Sequence, residues 1–428
     1  MLLALAVRRP WLGLLTWAWF SYMNPHRLCY GFAFDQVPFV AIIAVVTLGA
    51  MLMSNEPKRL IWSRETVVLA LLVLWMTVTT FFALAPVLAW REWQRVVKIQ
   101  LMIFVSLMLL TSRERVHALI WTIVLSLGFF GVKGGIFTLV TGGSHRVYGP
   151  GLSFIADNNE LALALSMTIP LMRYLQLNSS GRWIRRGAGA MMILSGLAAL
   201  ATYSRGGVLA LGTVTLLMLL KTRKKLVLAV VILMAIPTLI AFMPQQWSDR
   251  MESMQNYEED ASAVGRLNAW RFAINLVKER PIVGGGFKTF VGFVFRQYAP
   301  NPWDHHDSHS IYFKFLAEHG IPGLLLFLTL GLFTWRSGAW VIRHSGGHEE
   351  LKWASDLVAM VQVGLAGYAV GGVFSGLGYF DLPYHYMAII VICKVLVKRS
   401  LAARTSAPVP EPEFASTNIP LPSLQPVR

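Results

Sequence analysis

Charged residues are scarce in this sequence. Only 14% of its 428 residues are Asp, Glu, Lys or Arg, and 55% are hydrophobic. Soluble globular proteins carry about 25% charged residues. One soluble core cannot bury this much apolar sequence, so lipid must be the solvent for most of the chain. The composition therefore argues against an ordinary soluble enzyme and predicts an all-α polytopic membrane protein.

Cysteine and acidic residues are also few. The two cysteines, Cys29 and Cys393, lie near opposite ends of the sequence, and we infer neither a disulfide nor a metal site from them. Lys and Arg number 38 against 22 Asp and Glu, a formal net charge of +16. In a soluble protein this excess would suggest nucleic acid, but in a membrane protein it belongs in cytoplasmic loops. We therefore expect no nucleic-acid partner.

A cleavable signal peptide is not recognisable. The first apolar run contains Arg8 and Arg9 and lacks the usual order of charge, apolar run and small-residue cleavage site, so we expect an uncleaved first span. Apolar windows near the length of a membrane crossing recur along the chain and predict about twelve transmembrane helices. They lie at 3–22, 37–53, 66–84, 97–111, 117–140, 158–177, 187–203, 206–220, 226–242, 311–335, 354–378 and 384–398.

The basic residues predict the orientation. Every second gap between the windows is rich in Lys and Arg, which by the positive-inside rule places both termini in the cytoplasm. Those gaps contain Lys58, Arg59, Arg64, Arg113, Arg115, Arg182, Arg185, Arg186, Lys221, Arg223, Lys224, Lys225, Arg336, Arg343, Lys352 and the tail from Lys398. Arg91, Arg95 and Lys98 are exceptions near the outer side. They either hold an anion or belong to an interfacial helix.

One outer gap is much longer than the others. Residues 1–400 are predicted to form the membrane-embedded domain, and its loop 243–310, on the periplasmic side, carries short helices of its own. An amphipathic helix is expected near 263–280, with a stripe of Leu267, Trp270, Ile274 and Val277. Residues 401–428 are Pro-rich, and we expect a disordered cytoplasmic tail.

Polar residues gather at the predicted outer boundary. Asp157 is suited to cap the helix that follows, and Glu160, three residues on, would complete a pattern like a capping box. Arg146, in SHRVYGPG, either contacts lipid headgroups or contributes to a binding site.

Arg205 lies between two apolar runs with almost no loop. An arginine near the membrane boundary is costly unless it is paired or solvated. The planar guanidinium group of Arg205 can bind two phosphate oxygens at once. Anion binding and structural ion pairing are therefore the two alternatives. Arg266 and Arg271 are five residues apart, about 140° around a helix, and cannot easily face one target. Arg266 is the better anion ligand because it begins the helix beside Gly265.

The stretch DHHDSHSIYF, residues 304–313, concentrates three histidines and two aspartates before an apolar helix. Adjacent His305 and His306 diverge in any regular structure, whereas His306 and His309 would share a helix face. That leaves a metal site short of ligands. His309, at the start of a rigid span, can accept a proton near neutral pH. A metal site, a catalytic base and a solvated loop are the three alternatives.

Together these motifs resemble the O-antigen ligase and polymerase superfamily of bacterial membrane glycosyltransferases. The shared features are a Ser-Arg-Gly turn, a Gly-Arg…Trp…Pro…Gly-x-Gly stretch and a His-Ser…Glu-x-Gly…Gly stretch. In this sequence they are Ser204, Arg205, Gly206, Gly265, Arg266, Trp270, Pro281, Gly284, Gly286, His309, Ser310, Glu318, Gly320 and Gly323. The stretches SYMNPHRLCYGFAFDQVPF and RVYGPGLSFIADNNELALAL are similar to the O-glycosylation ligases associated with the exosortase A system.

The resemblance implies a GT-C-like glycosyltransferase of the bacterial inner membrane. It would transfer a glycan from undecaprenyl diphosphate to a periplasmic acceptor, protein or glycan, without a metal or other cofactor and with inversion. Arg205, Arg266 and Arg146 would bind the diphosphate, and His309 would orient or deprotonate the acceptor hydroxyl.

Other functions remain open at this point. An oligosaccharide polymerase of the same superfamily would use the same donor chemistry. A lipid-linked glycan transporter is disfavoured because no inverted repeat is evident and the polar residues gather at one face. A structural scaffold would not need Arg205 between two apolar runs.

Overall fold

The computed structural model describes residues 6–29, 37–56, 58–221, 244–245, 247 and 261–405. Within these residues the chain is helical and has no strand, which confirms the predicted all-α class. The α-helices are α1 (Pro10–Met23), α2 (Phe39–Met53), α3 (Arg64–Phe81), α4 (Pro86–Leu109), α5 (Arg113–Val140), α6 (Asn158–Asn178), α7 (Arg182–Leu200), α8 (Arg205–Lys221), α9 (Ala261–Glu279), α10 (Gly292–Tyr298), α11 (Ile311–Ser345), α12 (Lys352–Gly371) and α13 (Asp381–Thr405).

Most of these helices coincide with the predicted apolar windows; the window 226–242 lies outside the described residues. Four stretches of the described chain are long and apolar enough to cross a membrane: Arg64–Phe81, Arg113–Val140, Ile311–Ser345 and Glu349–Phe374. The chain is thus a multi-pass helical membrane protein. The number of twelve spans, the orientation and the side on which the loop lies stay predictions.

Helix α6 lies at the centre of the bundle. It packs against α5, α7, α8 and α12, and almost every side chain from Asn158 to Leu175 is buried. A helix that is apolar on all faces is a core helix. Its first turn therefore lies deep within one end of the bundle, which we call the site end.

The start of α6 is fixed by side-chain hydrogen bonds. Oδ1 of Asp157 accepts from the backbone N of Asn159 at 2.9 Å, which confirms the predicted cap. The capping-box role of Glu160 is wrong. Its Oε1 accepts from the backbone N of Gly376 at 3.1 Å, because the buried helix start brings the turn after α12 within reach.

Helices α9 and α10 have a small core of their own. Ala269, Phe272, Ala273 and Leu276 of α9 are buried against α10 and the start of α11. The predicted helix near 263–280 is confirmed, but its predicted stripe is only partly buried. Val277 is buried and Trp270 half-buried, whereas Leu267 and Ile274 are exposed. Two alanines on the buried face permit a closer helix approach than the larger residues of the stripe would allow.

Helix α11 is broken at Gly320, where φ is 66° and ψ is −171°. Pro322 has no N–H for the carbonyl of Glu318, and the backbone N of Gly286 donates to that carbonyl at 2.9 Å. The N of Gly285 donates to Ala317 O at 2.8 Å. The glycines at 284–286, which follow α9 and which we call the glycine turn, are thus hydrogen-bonded to the break in α11.

Residues 401–405, predicted to belong to a disordered tail, are helical. Helix α13 continues to Thr405, and residues 406–428 lie outside the described residues. The disordered state of the tail and its cytoplasmic location stay predictions.

Candidate functional site

Arg205 begins α8 at the site end, next to the start of α6. The hydroxyl of Ser204 accepts from the backbone N of Gly207 at 3.0 Å and donates to Oδ1 of Asn159 at 2.7 Å. A Cβ on Gly207 would lie 2.4 Å from Cβ of Ala162. Close contact between the two helices therefore needs glycine here, and it holds Arg205 half-buried beside the polar first turn of α6.

Arg146 lies on the loop between α5 and α6 and is exposed. Its guanidinium is 5.5 Å from the ring centroid of Tyr203, two residues before Arg205. The hydroxyl of Tyr203 donates to the carbonyl of Gly143 at 2.8 Å, so this loop is fastened to the turn that precedes α8. The structure thus places Arg146 on the rim of the site end.

Arg266 and Arg271 face different ways, as predicted: Arg266 is half-buried and Arg271 is exposed. The first turns of α9 pack against the loop that contains the histidines. A Cβ on Gly265 would lie 2.5 Å from the ring of His306, and Nε1 of Trp270 donates to the carbonyl of Ser308 at 2.9 Å. Arg266 is therefore brought to the histidine loop.

Phe374 joins the two arginine-bearing helices. Its ring centroid is 6.4 Å from that of Trp270 on α9. On the other side, a Cβ on Gly206 would lie only 2.6 Å from Cβ of Phe374. The Ser-Arg-Gly turn and the Gly-Arg…Trp stretch, about sixty residues apart in the sequence, therefore meet through one aromatic residue.

His309 lies immediately before α11 with a left-handed backbone, φ 41°. A non-glycine residue there is strained, and such strain is often found at active sites. Its Nδ1 is 4.0 Å from Oε1 of Glu160, and about a third of its side chain is exposed. Burial lowers the pKa of His309 below its ordinary value, and the nearby charge of Arg266 acts in the same direction, whereas Asp307 opposes them. The imidazole is thus held mainly unprotonated at neutral pH, the form that a base needs.

Acidic and basic side chains surround His309. Glu160 is almost fully buried, and its Oε2 has no hydrogen-bond partner among the described residues. Nζ of Lys314, on the first turn of α11, is 3.4 Å from Oδ2 of Asp307. Although burial acts to raise the pKa of Asp307, the charge of Lys314 lowers it well below its usual range. Asp307 is therefore ionised, and the site combines a neutral base with fixed charges of both signs.

The other two histidines of the loop have structural partners. Nε2 of His305 bonds to the carbonyl of Phe290 at 2.7 Å, and Nε2 of His306 bonds to Oδ1 of Asp304 at 2.7 Å. Among the described residues, no group of three or more His, Cys, Asp or Glu is arranged to hold a metal ion. The three histidines of DHHDSH thus point to different tasks, and only His309 faces the charged groups of the site.

Residues 190–328 match the family model described as O-antigen ligase. This part of the chain is an O-antigen ligase domain. Residues 1–179 match a family of unknown function, DUF5935. A comparison with curated proteins gave no match.

The O-antigen ligase domain contains Arg205, Arg266 and His309, which confirms membership of the superfamily that the motifs predicted. The association with the exosortase A system stays a prediction. Glu160 and Arg146 come from the segment matched by the other family. The site is therefore built from both matched segments.

The roles of Arg205, Arg266, Arg146 and His309 stay predictions, but the structure places all four at the site end of the O-antigen ligase domain and its neighbouring segment. Sequence reasoning missed Glu160 as a partner of His309 and the ion pair of Lys314 with Asp307. Lys314, a lysine one turn into an apolar helix, could have indicated a buried ion pair, because a charge in such a position needs a partner.

Proposed function

We propose that this protein is a glycosyltransferase of the bacterial inner membrane that moves a glycan from undecaprenyl diphosphate to an acceptor hydroxyl at the periplasmic face. The observation that carries the proposal is the location of His309, within 4.0 Å of Glu160 and in the field of Arg266, inside an O-antigen ligase domain. A base, a buried carboxyl group and an arginine at one end of an apolar bundle are suited to a donor held in lipid and an acceptor that comes from water.

The arginines bind the donor. Arg205 and Arg266 contact the diphosphate, and Arg146 contributes from the rim. Guanidinium groups match phosphate oxygens in two places at once and keep their charge at any physiological pH. Their charge stabilises the leaving group as its glycosidic bond breaks, a form of electrostatic stabilisation that is usually the largest catalytic contribution.

His309 activates the acceptor. With Nδ1 directed towards Glu160, Nε2 takes the proton of the acceptor hydroxyl as its oxygen attacks the anomeric carbon. The bond from that carbon to the diphosphate oxygen breaks, undecaprenyl diphosphate leaves with the electron pair, and the configuration inverts. Glu160 positions the imidazole, because its Oε1 lies 4.0 Å from Nδ1. The imidazolium then returns its proton to water.

The transfer is proposed to be independent of divalent metal, because the arginines supply the positive charge that a diphosphate needs. The test is transfer in vitro from an undecaprenyl-diphosphate glycan by purified protein, with and without EDTA. We expect wild-type transfer to survive EDTA and His309→Ala to lower the rate by about 10²- to 10⁴-fold. His145→Ala, which removes an exposed histidine of the same end, should leave it unchanged.

The same assay separates the alternatives. Activity in the wild type that disappears with EDTA would contradict metal independence and return the histidine loop to consideration as a metal site. Full activity of His309→Ala would contradict its role as the base. A ladder of products rather than one attachment would identify a polymerase instead of a ligase.

A further inference from the structure

A second concave site lies at the same end of the molecule, outside the O-antigen ligase domain. It is a cavity of about 530 Å³ between the end of α1, the start of α2, the first half of α4 and the loop before α6. Volumes of about 300–1,000 Å³ are typical of small-ligand sites. None of Arg205, Arg266, His309 and Glu160 lines it.

The cavity is at the site end because of how α4 begins. The backbone N of Leu84, just before α4, donates to the carbonyl of Gly285 at 2.8 Å. Nζ of Lys288 is 3.7 Å from Oε2 of Glu92 on the first turns of α4. The start of α4 is thus attached to the same glycine turn that contacts the break in α11, and the cavity opens on the same side as His309.

The charged side chains that line the cavity are all basic, and the further polar lining residues are Ser21, Asn24, His26 and Gln94. Arg27, Arg91, Arg95 and Lys98 line it, and no described Asp or Glu does. Arg91, Arg95 and Lys98 follow one another at spacings of four and three residues, so they share one face of α4. Arg91 and Lys98 form no hydrogen bond or ion pair with a described residue. Several positive charges around one concavity repel one another and attract an anion.

The opposite wall is apolar. Phe39, Val40 and Ala44 of α2 line it, and Phe154 closes one side, with the guanidinium of Arg95 3.6 Å from its ring centroid. Next to this wall, Ile42 and Val45 of the apolar helix α2 are exposed. The cavity therefore borders the surface that faces lipid, and a ligand can enter it with its charged end while its hydrocarbon stays in the membrane.

We propose that this cavity binds an anionic lipid: a phosphate ester held by Arg91, Arg95 and Lys98, with its hydrocarbon chain along α2. Arginine and lysine on phosphate oxygens form the strong, charge-assisted class of hydrogen bond. The shared chemistry is that of an acidic phospholipid and of a polyprenyl phosphate. The site does not depend on the glycosyl transfer proposed above.

The test uses delipidated full-length protein in a non-ionic detergent. Native mass spectrometry and thermal melting are recorded with phosphatidylglycerol, undecaprenyl phosphate, phosphatidylcholine or inorganic phosphate. The variant Arg91→Gln/Lys98→Gln replaces two exposed cavity residues. The control Arg185→Gln/Lys278→Gln replaces two exposed basic residues elsewhere.

We expect the wild type and the control to retain one anionic lipid and to melt at a higher temperature with it. The cavity variant should lose affinity at least about ten-fold, since it loses charge-assisted contacts. Without lipid it should melt no lower than the wild type, because like charges have been removed. Phosphatidylglycerol retention without undecaprenyl phosphate retention would assign the site to phospholipid, and the reverse to the polyprenyl carrier.

Three outcomes would overturn the proposal. Equal retention of both anionic lipids by the cavity variant would exclude the basic wall. An equal loss in the control would show that only the overall charge matters. Equal protection by phosphatidylcholine or by inorganic phosphate would show that no anionic amphiphile is selected.

Discussion

The His309 site and the basic cavity lie at the same end of the molecule but differ in their charges. Around His309, carboxyl groups accompany the cations: Oε1 of Glu160 is 4.0 Å from the imidazole, and the ionised Asp307 is 3.4 Å from Lys314. The cavity is lined by cations and neutral polar groups, with no Asp or Glu among its described lining residues. Opposite charges set protonation states, which chemistry requires. Uniform charge only attracts, which is enough for binding. The two regions therefore illustrate a difference between a site that handles protons and one that holds an anion.

The largest effects should come from the donor-binding arginines. Arg266→Ala and Arg205→Ala should each lower transfer by about 10²- to 10³-fold, because a charge that stabilises the leaving group is lost. Arg271→Ala, from the exposed face of the same helix, is the matched control and should be mild. Transfer is measured at equal amounts of membrane-inserted protein. Normal product from either donor variant would rule out its contact with the diphosphate.

The next effect concerns the glycine at the break of α11. A Cβ on Gly320 would lie 2.1 Å from the carbonyl oxygen of Ile282, at a φ that disfavours every side chain. Gly320→Ala should therefore destabilise the protein by about 2 kcal/mol or more and lower transfer as well. Thermal melting in detergent measures it.

Gly331 of the same helix provides the comparison, since nothing lies within 4 Å of its Cβ position. Gly331→Ala should be neutral or stabilising by up to about 1 kcal/mol. Equal melting temperatures for the two variants would mean that the break does not depend on glycine at position 320.

Sequence reasoning reached much of this architecture because the relevant information is local. The apolar windows predicted where the helices lie. The five-residue spacing of Arg266 and Arg271 predicted that the two side chains point in different directions. The packing face of α9 was not predictable in the same way, because it depends on the alanines that fit α10 and α11. Glu160 was taken for part of a cap because its partners, His309 and Gly376, are 149 and 216 residues away along the chain. Contacts of that range come from tertiary packing.

A smaller effect should appear in the pH dependence. His309 must be unprotonated to act as a base, so transfer falls as the pH drops through its pKa. Asp307 raises that pKa. Asp307→Asn should therefore lower it and move the acidic limb of the pH–rate profile to lower pH. Asp304→Asn, which affects His306 instead, should leave the limb in place. A limb that stays or rises in Asp307→Asn would mean that another group titrates.

The smallest effect is expected from the basic cavity. Arg91→Gln/Lys98→Gln should change the rate of transfer by less than about three-fold, because isolated exposed charges are worth little to a distant reaction. The rate is measured at saturating donor. A loss as large as that of Arg266→Ala would erase the distinction between the two regions and make the cavity part of the reaction site.

The break at Gly320 also affects which residues unfold together in a local opening of the structure. Residues 311–319 are bonded to the glycine turn through Ala317 and Glu318, and Ile321 donates to Pro281. In local unfolding, residues 311–321 and the glycine turn would then form one cooperative unit, which does not end at the loop–helix border at 310. A fluctuation that frees the turn would carry Lys314 and the backbone beside His309 with it. Opening of the loop and displacement of the base would thus occur in one motion. The amide protons of these residues would exchange with solvent as a group, while those in the remainder of α11 stay protected.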